Sequence, residues 1–296
     1  MVFYITQGTA IVNLIQFLGA IEMGLIFGLI GMAVYLTFRV SDFPDLTVDG
    51  SYPLGAAVAS VLIINGHNPL LATFIAMLAG GLAGLFTAYL HVRWKILGLL
   101  ASILTMTALY SINLRIMGRP NIALLGENTL FNNAISPLIL LAGIVILVFI
   151  LLSYLLNTQW GLGLRASGMN SRVSQAYGIN VKYMQLYSLG LSNSLVALAG
   201  ALFAQLNLFA DVSMGVGTII NGLAAVIIGE TLIKMRGVMF ALAACILGAI
   251  IYRFAIALAL NAQGIGLNAA DLNLIASAIV IATLVLPKLK NELLRK

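Results

Sequence analysis

Acidic and hydroxyl-bearing residues occur at two places in this chain, each directly before a short apolar segment. The first run is Asp45-Leu-Thr-Val-Asp-Gly-Ser51, and the second begins with Asp211-Val-Ser213. A charged group at membrane depth is costly and tends to mark the route of a solute or an ion. The polar residues that could line such a route are Asp45, Thr47, Asp49, Ser51, Tyr52, Tyr110, Asn113, Asp211, Ser213 and Asn221.

The same acids also allow a plainer interpretation. Asp45 and Asp49 could lie in a wet loop together with Asp42, where a local ion pair with Arg39 would form. The polar residues of the fourth apolar segment could serve ordinary hydrogen bonds between helices. Glu22, only a few residues into the first apolar segment, could line the route or lie near the outer headgroups.

Other kinds of chemistry have no visible residue pattern. His67 and His91 stand apart from any cysteine or acid at metal-ligand spacing, and Cys245 is the single cysteine. The sequence shows no Ser–His–Asp arrangement or paired carboxylates. It also contains no Gly-x-x-x-x-Gly-Lys-Ser/Thr run that would cradle a phosphate. We therefore expect no metal site, no cofactor and no catalytic centre in this chain.

The composition places the chain in a membrane. Hydrophobic residues make up 61% of the 296 residues and charged residues 8%, against about 45–50% and about 25% in soluble domains. Two of the apolar segments, 52–65 and 217–233, are short for a full crossing, and short segments in transporters often mark the binding site. The apolar segments are 13–38, 52–65, 69–91, 97–117, 137–156, 184–209, 217–233, 237–260 and 271–287.

Basic residues predict the orientation of these segments. They cluster at alternate segment ends, which places the N-terminus outside and the C-terminus in the cytoplasm. Membrane topology rather than nucleic-acid binding therefore accounts for the net charge of +6. Arg115, Arg119 and Arg253 do not fit this rule. We expect the first segment to be a retained helix rather than a signal peptide, because no charge precedes it. The residues that set the orientation are Arg39, Arg93, Lys95, Arg165, Arg172, Lys182, Lys234, Arg236, Lys288, Lys290, Arg295 and Lys296.

The two polar runs also indicate an internal repeat. Each opens with an acid, a β-branched residue and a hydroxyl, and each leads through glycine into Ala-Ala-Val. In the predicted topology the two runs enter their short helices from opposite sides, as expected for an inverted repeat. The sequence therefore predicts an all-α integral membrane fold of about nine transmembrane helices. Its repeats would cover about 13–117 and 184–287, joined by a loop at about 157–183.

The longest basic loop, residues 161–180, predicts a short helix outside the membrane. The helix would run from Asn170 to Tyr177, with Asn170 or Ser171 as its N-cap and Gly178 at its end. Such a helix could rest on the headgroups or could be a docking site for a soluble partner.

This loop carries the clearest family resemblance. The run Gly163-Leu-Arg-Ala-Ser-Gly-Met-Asn170, followed by Ala176-Tyr-Gly-Ile-Asn180, resembles the coupling loop of ABC importer permeases. It is most similar to the branched-chain amino acid and monosaccharide permease superfamily. The segment from Ser41 to Val58 resembles the subgroup that works with a tryptophan- or tyrosine-type binding lipoprotein. The run Gly222-Leu-Ala-Ala-Val-Ile-Ile-Gly229 fits the same superfamily.

The resemblance implies a type II ABC importer in the bacterial plasma membrane, with this chain as a single permease domain. Two permease subunits, expected to be a homodimer, would enclose the pathway. A dimer of cytoplasmic ATPases would use ATP and Mg, and a binding lipoprotein would deliver a small solute. That solute would be an amino acid, aromatic in the subgroup. The expected coupling residues are Arg165, Ser167, Gly168, Met169, Asn170, Arg172, Val173, Ala176, Tyr177 and Gly178.

A stand-alone secondary transporter or channel is the alternative, because an inverted repeat with short helices suits that class as well. Glu22 is the only mid-segment acid, which argues against proton coupling. A membrane enzyme comes third, since the sequence shows no catalytic cluster.

Overall fold

A computed structural model describes residues 14–132, 136–233 and 237–261, together with positions 274, 277, 278 and 281. A π-helical turn, Tyr35–Val40, continues the helix that ends at Val34. A 3₁₀ turn, Val212–Gly215, precedes the helix that begins at Thr218. The helices are α1 (Leu14–Val34), α2 (Val48–Ile64), α3 (Pro69–Trp94), α4 (Gly98–Met117), α5 (Pro137–Asn157), α6 (Gln159–Met169), α7 (Ser171–Ala176), α8 (Val181–Asn207), α9 (Thr218–Leu232) and α10 (Val238–Asn261). Two three-residue strands, β1 (Asn121–Ala123) and β2 (Phe209–Asp211), pair antiparallel at one end of the bundle.

The expected helical membrane fold is confirmed. Seven helical stretches of the described chain are long and apolar enough to cross a membrane. Helix α2, with 17 residues, is shorter. The expected last span at 271–287 and the residues Lys234 and Arg236 lie outside the described residues, so the count of nine helices stays a prediction.

Burial separates the inner helices from the outer ones. The most apolar part of α8 is 78% buried and that of α1 is 67% buried, whereas the value for α5 is only 17%. Helix α8 packs on α2 and α3, and α1 packs on α9 and α10. Helices α1 and α8 therefore form the centre of the bundle, and α5 presents most of its surface to lipid.

Glycine allows the closest of these contacts. A Cβ atom at Gly84 of α3 would overlap the carbonyl oxygen of Leu189 on α8. A Cβ atom at Gly200 of α8 would overlap the carbonyl oxygen of Tyr52 on α2. Small residues let helix backbones approach closely, and in lipid this packing replaces the hydrophobic effect as the force between helices.

This packing predicts a difference between two Gly→Ala substitutions. Gly84→Ala should lower the free energy of unfolding by about 1–3 kcal/mol, because the added methyl group overpacks the α3–α8 contact. Gly143→Ala is the matched control, since nothing lies within 4 Å of a Cβ atom there. Thermal unfolding of the purified proteins in detergent measures both, and equal midpoints for the two variants would contradict the packing argument.

Candidate translocation site and docking surface

The first turns of α2 and α9 meet inside the bundle. Asp49 lies in the first turn of α2, and its carboxylate accepts hydrogen bonds from the backbone N–H groups of two residues at the start of α9. These donors are Gly217, at 3.2 Å, and Ile219, at 2.8 Å. Gly217 has a φ of +82°, a left-handed conformation that glycine adopts without strain. Asp49 of one helix therefore caps the N-terminus of the other.

The neighbouring contacts show how deep this junction lies. The hydroxyl of Thr47, the residue before α2, is 2.8 Å from the hydroxyl of Thr87. Thr87 lies seven residues before the end of α3 at Trp94, which is about 10 Å along the helix. Residues 45–51 also contact Asn193, twelve residues after the start of α8 at Val181, or about 18 Å along it. Helix α2 therefore starts within the bundle, and the hydrogen bonds to Asp49 bring the start of α9 beside it.

A buried hydrogen-bond network surrounds the start of α2. The carboxylate of Asp45 accepts from the backbone N–H of Thr47 at 2.9 Å and from the side-chain amide of Asn193 at 2.7 Å. The hydroxyl of Ser51 donates to Asn193 Oδ1 at 2.7 Å. Asp45, Thr47 and Ser51 are completely buried. These three predicted pathway residues therefore join α2 to α8 and α3 in this structure.

A cleft beside the junction brings together three other predicted residues. Asp49, Tyr110 and Asn113 all line this cleft, whose volume is about 280 Å³. The amide nitrogen of Asn113 donates to the carbonyl of Gly50 at 3.2 Å. The remaining lining residues are Gly50, Pro53, Met106, Thr107, Val212 and Val216. Tyr52 of α2, by contrast, does not line the cleft. Its side chain is buried in contact with aromatic rings of α1 and α8.

The second polar run lies at the end of the bundle that carries the strands. Asp211 accepts from the backbone N–H of Ser213 at 2.7 Å and from the amide of Asn121 at 3.2 Å. Burial raises the pKa of the Asp211 carboxyl, but the hydrogen bonds from Ser213 and Asn121 outweigh it and hold that pKa below its ordinary value. Asn221 lies apart from them and accepts from the hydroxyl of Tyr252 at 2.8 Å.

The arginine at the end of α1 has a different partner from the one the sequence suggested. Arg39 donates two hydrogen bonds to Glu230 near the end of α9, one of them from Nε at 2.6 Å. Asp42 is exposed and has a left-handed φ of +51°. The local pair with Arg39 is therefore wrong, because the helical turn brings the guanidinium to α9. The side chains of Arg39 and Glu230 are 56% and 22% exposed, so the pair adds about 1 kcal/mol at most.

The expected short helix of the basic loop is present as α7. Asn170 caps it by accepting from the backbone N–H groups of Arg172 and Val173, both at 3.1 Å. Gly178, with a φ of +81°, follows its end. The sequence missed α6, which fills the first part of the loop and is capped by Thr158. A Cβ atom at Gly168 of α6 would overlap the carbonyl oxygen of Val40, so α6 rests directly on the end of α1.

Helices α6 and α7, with the residues up to 178, form an elbow at the surface. The exposed side chains at its tip are mainly apolar. Met169 and Tyr177 are 89% and 83% exposed, and Val173 is exposed as well. Ser167 is buried, Arg165 and Gly168 are half-buried, and the remaining predicted coupling residues are exposed, namely Asn170, Arg172, Ala176 and Gly178. Exposed apolar residues on a polar, basic segment are typical of a contact surface.

The sequence did not predict several members of these sites. Thr87 and Asn193 complete the buried network, and Met106 and Thr107 line the cleft. The available signal was a polar residue inside an apolar helix, together with the three- to four-residue spacing from Met106 through Tyr110 to Asn113.

Glu22 is half-buried in α1. No group of three or more potential metal ligands occurs among the described residues.

Comparison with known proteins relates the chain as a whole to transport permeases. The family model described as "Branched-chain amino acid transport system / permease component" matches residues 16–286. A tyrosine transport system permease protein of Clostridioides difficile is 42% identical over 267 residues, which is 90% of each chain. A ribose import permease protein of Haemophilus influenzae is 28% identical and covers 82% of this chain and 75% of its own. The structure of PsaBC from Streptococcus pneumoniae in complex with Fab has the same fold, with a TM-score of 0.52, 15% identity and coverage of 90% and 89%.

The buried network predicts strong coupling between Asp45 and Asn193. Asn193→Ala should lower the free energy of unfolding by about 1.5–3 kcal/mol, because it removes a hydrogen bond to a buried carboxylate. In a double-mutant cycle with Asp45→Asn, the interaction energy should be at least about 1 kcal/mol. The matched control is Asn157→Ala, whose amide bonds only to Ser153 of its own helix. Unfolding in detergent gives these values, and additive effects of the two network substitutions would contradict the assignment.

Proposed function

The chain belongs to the family of branched-chain amino acid permease components, and we propose that its α2–α9 junction borders the route of the solute. It is a multi-pass membrane protein and a permease subunit of an ATP-binding cassette importer. The observation that carries the proposal is the meeting of two helix starts within the bundle, at Asp49, beside an open cleft. Discontinuous helices of this kind form the binding sites of many transporters.

The packing of the helices supports the inverted repeat. Helix α8 packs on α2 and α3 of the first half, as α1 packs on α9 and α10 of the second. Helix α2 packs on α3, as α9 packs on α10. Asp45 and Asp211 also form the same local turn, in which each carboxylate accepts from the backbone N–H two residues on. These correspondences are what repeats at about 13–117 and 184–287 would produce in one permease domain.

A second permease subunit would cover the open side of α4. The most apolar part of this helix is only 28% buried, and its exposed face carries Thr107, Tyr110 and Ser111. Polar groups facing lipid are costly, so this face suits a pathway shared with a second copy of the chain. In this homodimer the cleft at Asp49 would face the pathway.

The remaining partners follow from the family and from the elbow. Each ATPase of a cytoplasmic dimer would dock on α6 and α7, and ATP and Mg would bind to that subunit. The N-terminus would lie outside and the C-terminus in the cytoplasm of a bacterium, with a binding lipoprotein delivering the solute from outside. That solute is an amino acid, and an aromatic one agrees with the tyrosine transport permease that is 42% identical.

The elbow separates this function from that of a stand-alone transporter, which needs no docking surface. Val173→Asp should abolish copurification of the partner ATPase, because it places a charge in the apolar contact. Leu125→Asp is the matched control, since Leu125 is 77% exposed at the opposite end of the bundle. It should leave ATPase capture unchanged.

Copurification from membranes followed by assay of ATP hydrolysis measures both variants. Equal ATPase capture by the wild type and by Val173→Asp would contradict docking at the elbow. Absence of any ATPase from the wild-type preparation would contradict the proposed importer as a whole.

A further inference from the structure

The cleft between α2 and α4 has an unusual set of polar groups, because they are largely acceptors. Asp49 contributes a carboxylate, and its two hydrogen bonds from α9 leave further lone pairs on both oxygens. Among the residues that the structure describes, no arginine, lysine or histidine lines the cleft, so the formal charge of this lining is negative. An electron-rich cleft of this kind favours a group that carries hydrogen-bond donors and positive charge.

Asn113 supplies a second, independent sign of a missing donor. Its side chain is completely buried and borders the cleft, and its Oδ1 atom has no hydrogen-bond partner. The amide orientation is fixed, because the amide nitrogen donates to the carbonyl of Gly50. A buried acceptor without a donor is destabilising, so a ligand that donates to Oδ1 would remove that penalty.

Asp49 also determines which charge the bound group can carry. The N-termini of two helices converge at this point and would otherwise attract an anion. The carboxylate of Asp49 already occupies that position by accepting from Gly217 and Ile219. An anionic group of the solute would therefore meet a carboxylate and not free N–H groups.

The rest of the cleft is apolar and of limited size. Pro53, Met106, Val212 and Val216 line it, and the exposed ring of Tyr110 lies among them. Its volume of about 280 Å³ is just below the range for small-molecule sites, about 300–1,000 Å³. The cleft therefore suits a compact solute with one polar end and an apolar body.

We propose that this cleft binds the ammonium group of the transported solute, between the carboxylate of Asp49 and Oδ1 of Asn113, with the apolar part of the solute against Met106 and Tyr110. The inference rests on the proposed function and adds to it a solute-selecting site in the permease itself. The class of ligand is a primary amine with an apolar body. The carboxylate of an amino acid would point away from Asp49.

Three related probes test the assignment on the purified permease–ATPase complex: phenethylamine, phenylalanine and 3-phenylpropionate. Calorimetry should show phenethylamine binding at least as tightly as phenylalanine, and 3-phenylpropionate at least about tenfold more weakly. Equal or tighter binding of 3-phenylpropionate, or no binding of any probe, would overturn the proposal. Because capture of the ATPase is measured separately, either failure leaves the proposed importer intact.

Two variants and a control test whether phenethylamine binds at Asp49 and Asn113. Asn113→Leu and Asp49→Asn should each weaken phenethylamine binding about tenfold or more. Neither variant should bind 3-phenylpropionate more weakly, and Asp49→Asn should bind it more tightly, because the repelling carboxylate is gone. Asp49→Asn retains an oxygen that can cap α9, so it keeps the test valid if Asn113→Leu fails to fold. Ser60→Ala is the matched control, because the Ser60 hydroxyl is also buried and unpartnered but lies outside the cleft. Unchanged phenethylamine affinity in the folded variants would contradict the site.

A lipid headgroup could supply the same ammonium chemistry. Phenethylamine binding should therefore be compared in nanodiscs of phosphatidylglycerol alone and with added phosphatidylethanolamine. Equal affinities assign the site to the solute. Loss of binding when phosphatidylethanolamine is present would assign it to a headgroup and overturn the proposal.

Discussion

A helix that begins inside a bilayer exposes backbone N–H groups where no water can reach them, and the rest of this structure depends on how that constraint is met. The first N–H groups of any helix lack intrahelical partners, and an unsatisfied one costs several kcal/mol in lipid. At α9 the partner is the carboxylate of Asp49, which comes from the first turn of α2. One side chain thereby holds the starts of two helices together, and their meeting point opens onto the cleft.

The same short stretch of chain joins the junction to α6 and α7, where we propose that the ATPase docks. Helix α6 touches the backbone of Val40 through Gly168, and the chain then runs through residues 41–44 to the buried network of Asp45. Four residues later the chain reaches Asp49, whose carboxylate accepts hydrogen bonds from the start of α9. A displacement of the elbow by an ATPase would act directly on this segment, since close-packed backbones transmit strain. The π-helical turn at Tyr35–Val40 lies where such a movement would begin, and π-helical turns often occur at functional sites.

Local patterns in the sequence predicted what depends on local physics. Apolar segments gave the helices of the membrane, and Asn170 and Gly178 marked the ends of α7. The start of α2 lies four residues before the predicted position 52, because the polar residues Asp49 and Ser51 belong to its first helical turns and not to the segment before it. Helix α6 was missed because its glycines and polar residues are not typical of a membrane helix, yet it packs on the end of α1.

Contacts between distant segments could not be predicted in the same way. Arg39 has an acid three positions away, but its hydrogen bonds go to Glu230, 191 residues further along. The partners of Asp45 and Ser51 come from α8, and nothing in the spacing of Asn193 identifies it. Of the ten predicted pathway residues, three join a buried network, three line the cleft and two form an outer turn, while Tyr52 and Asn221 lie apart from these groups. That division depends on which helices meet, which a single sequence does not encode locally.

Hydrogen exchange at the start of α9 tests most directly whether Asp49 holds the starts of α2 and α9 together. The amides of Gly217 and Ile219 should exchange slowly in the wild type and at least about tenfold faster in Asp49→Ala, because each loses a hydrogen bond to a charged acceptor. The amides of the β1–β2 pair should exchange at the same rate in both proteins. Unchanged exchange at Gly217 and Ile219 would show that the helix starts are satisfied by other groups and would contradict this account.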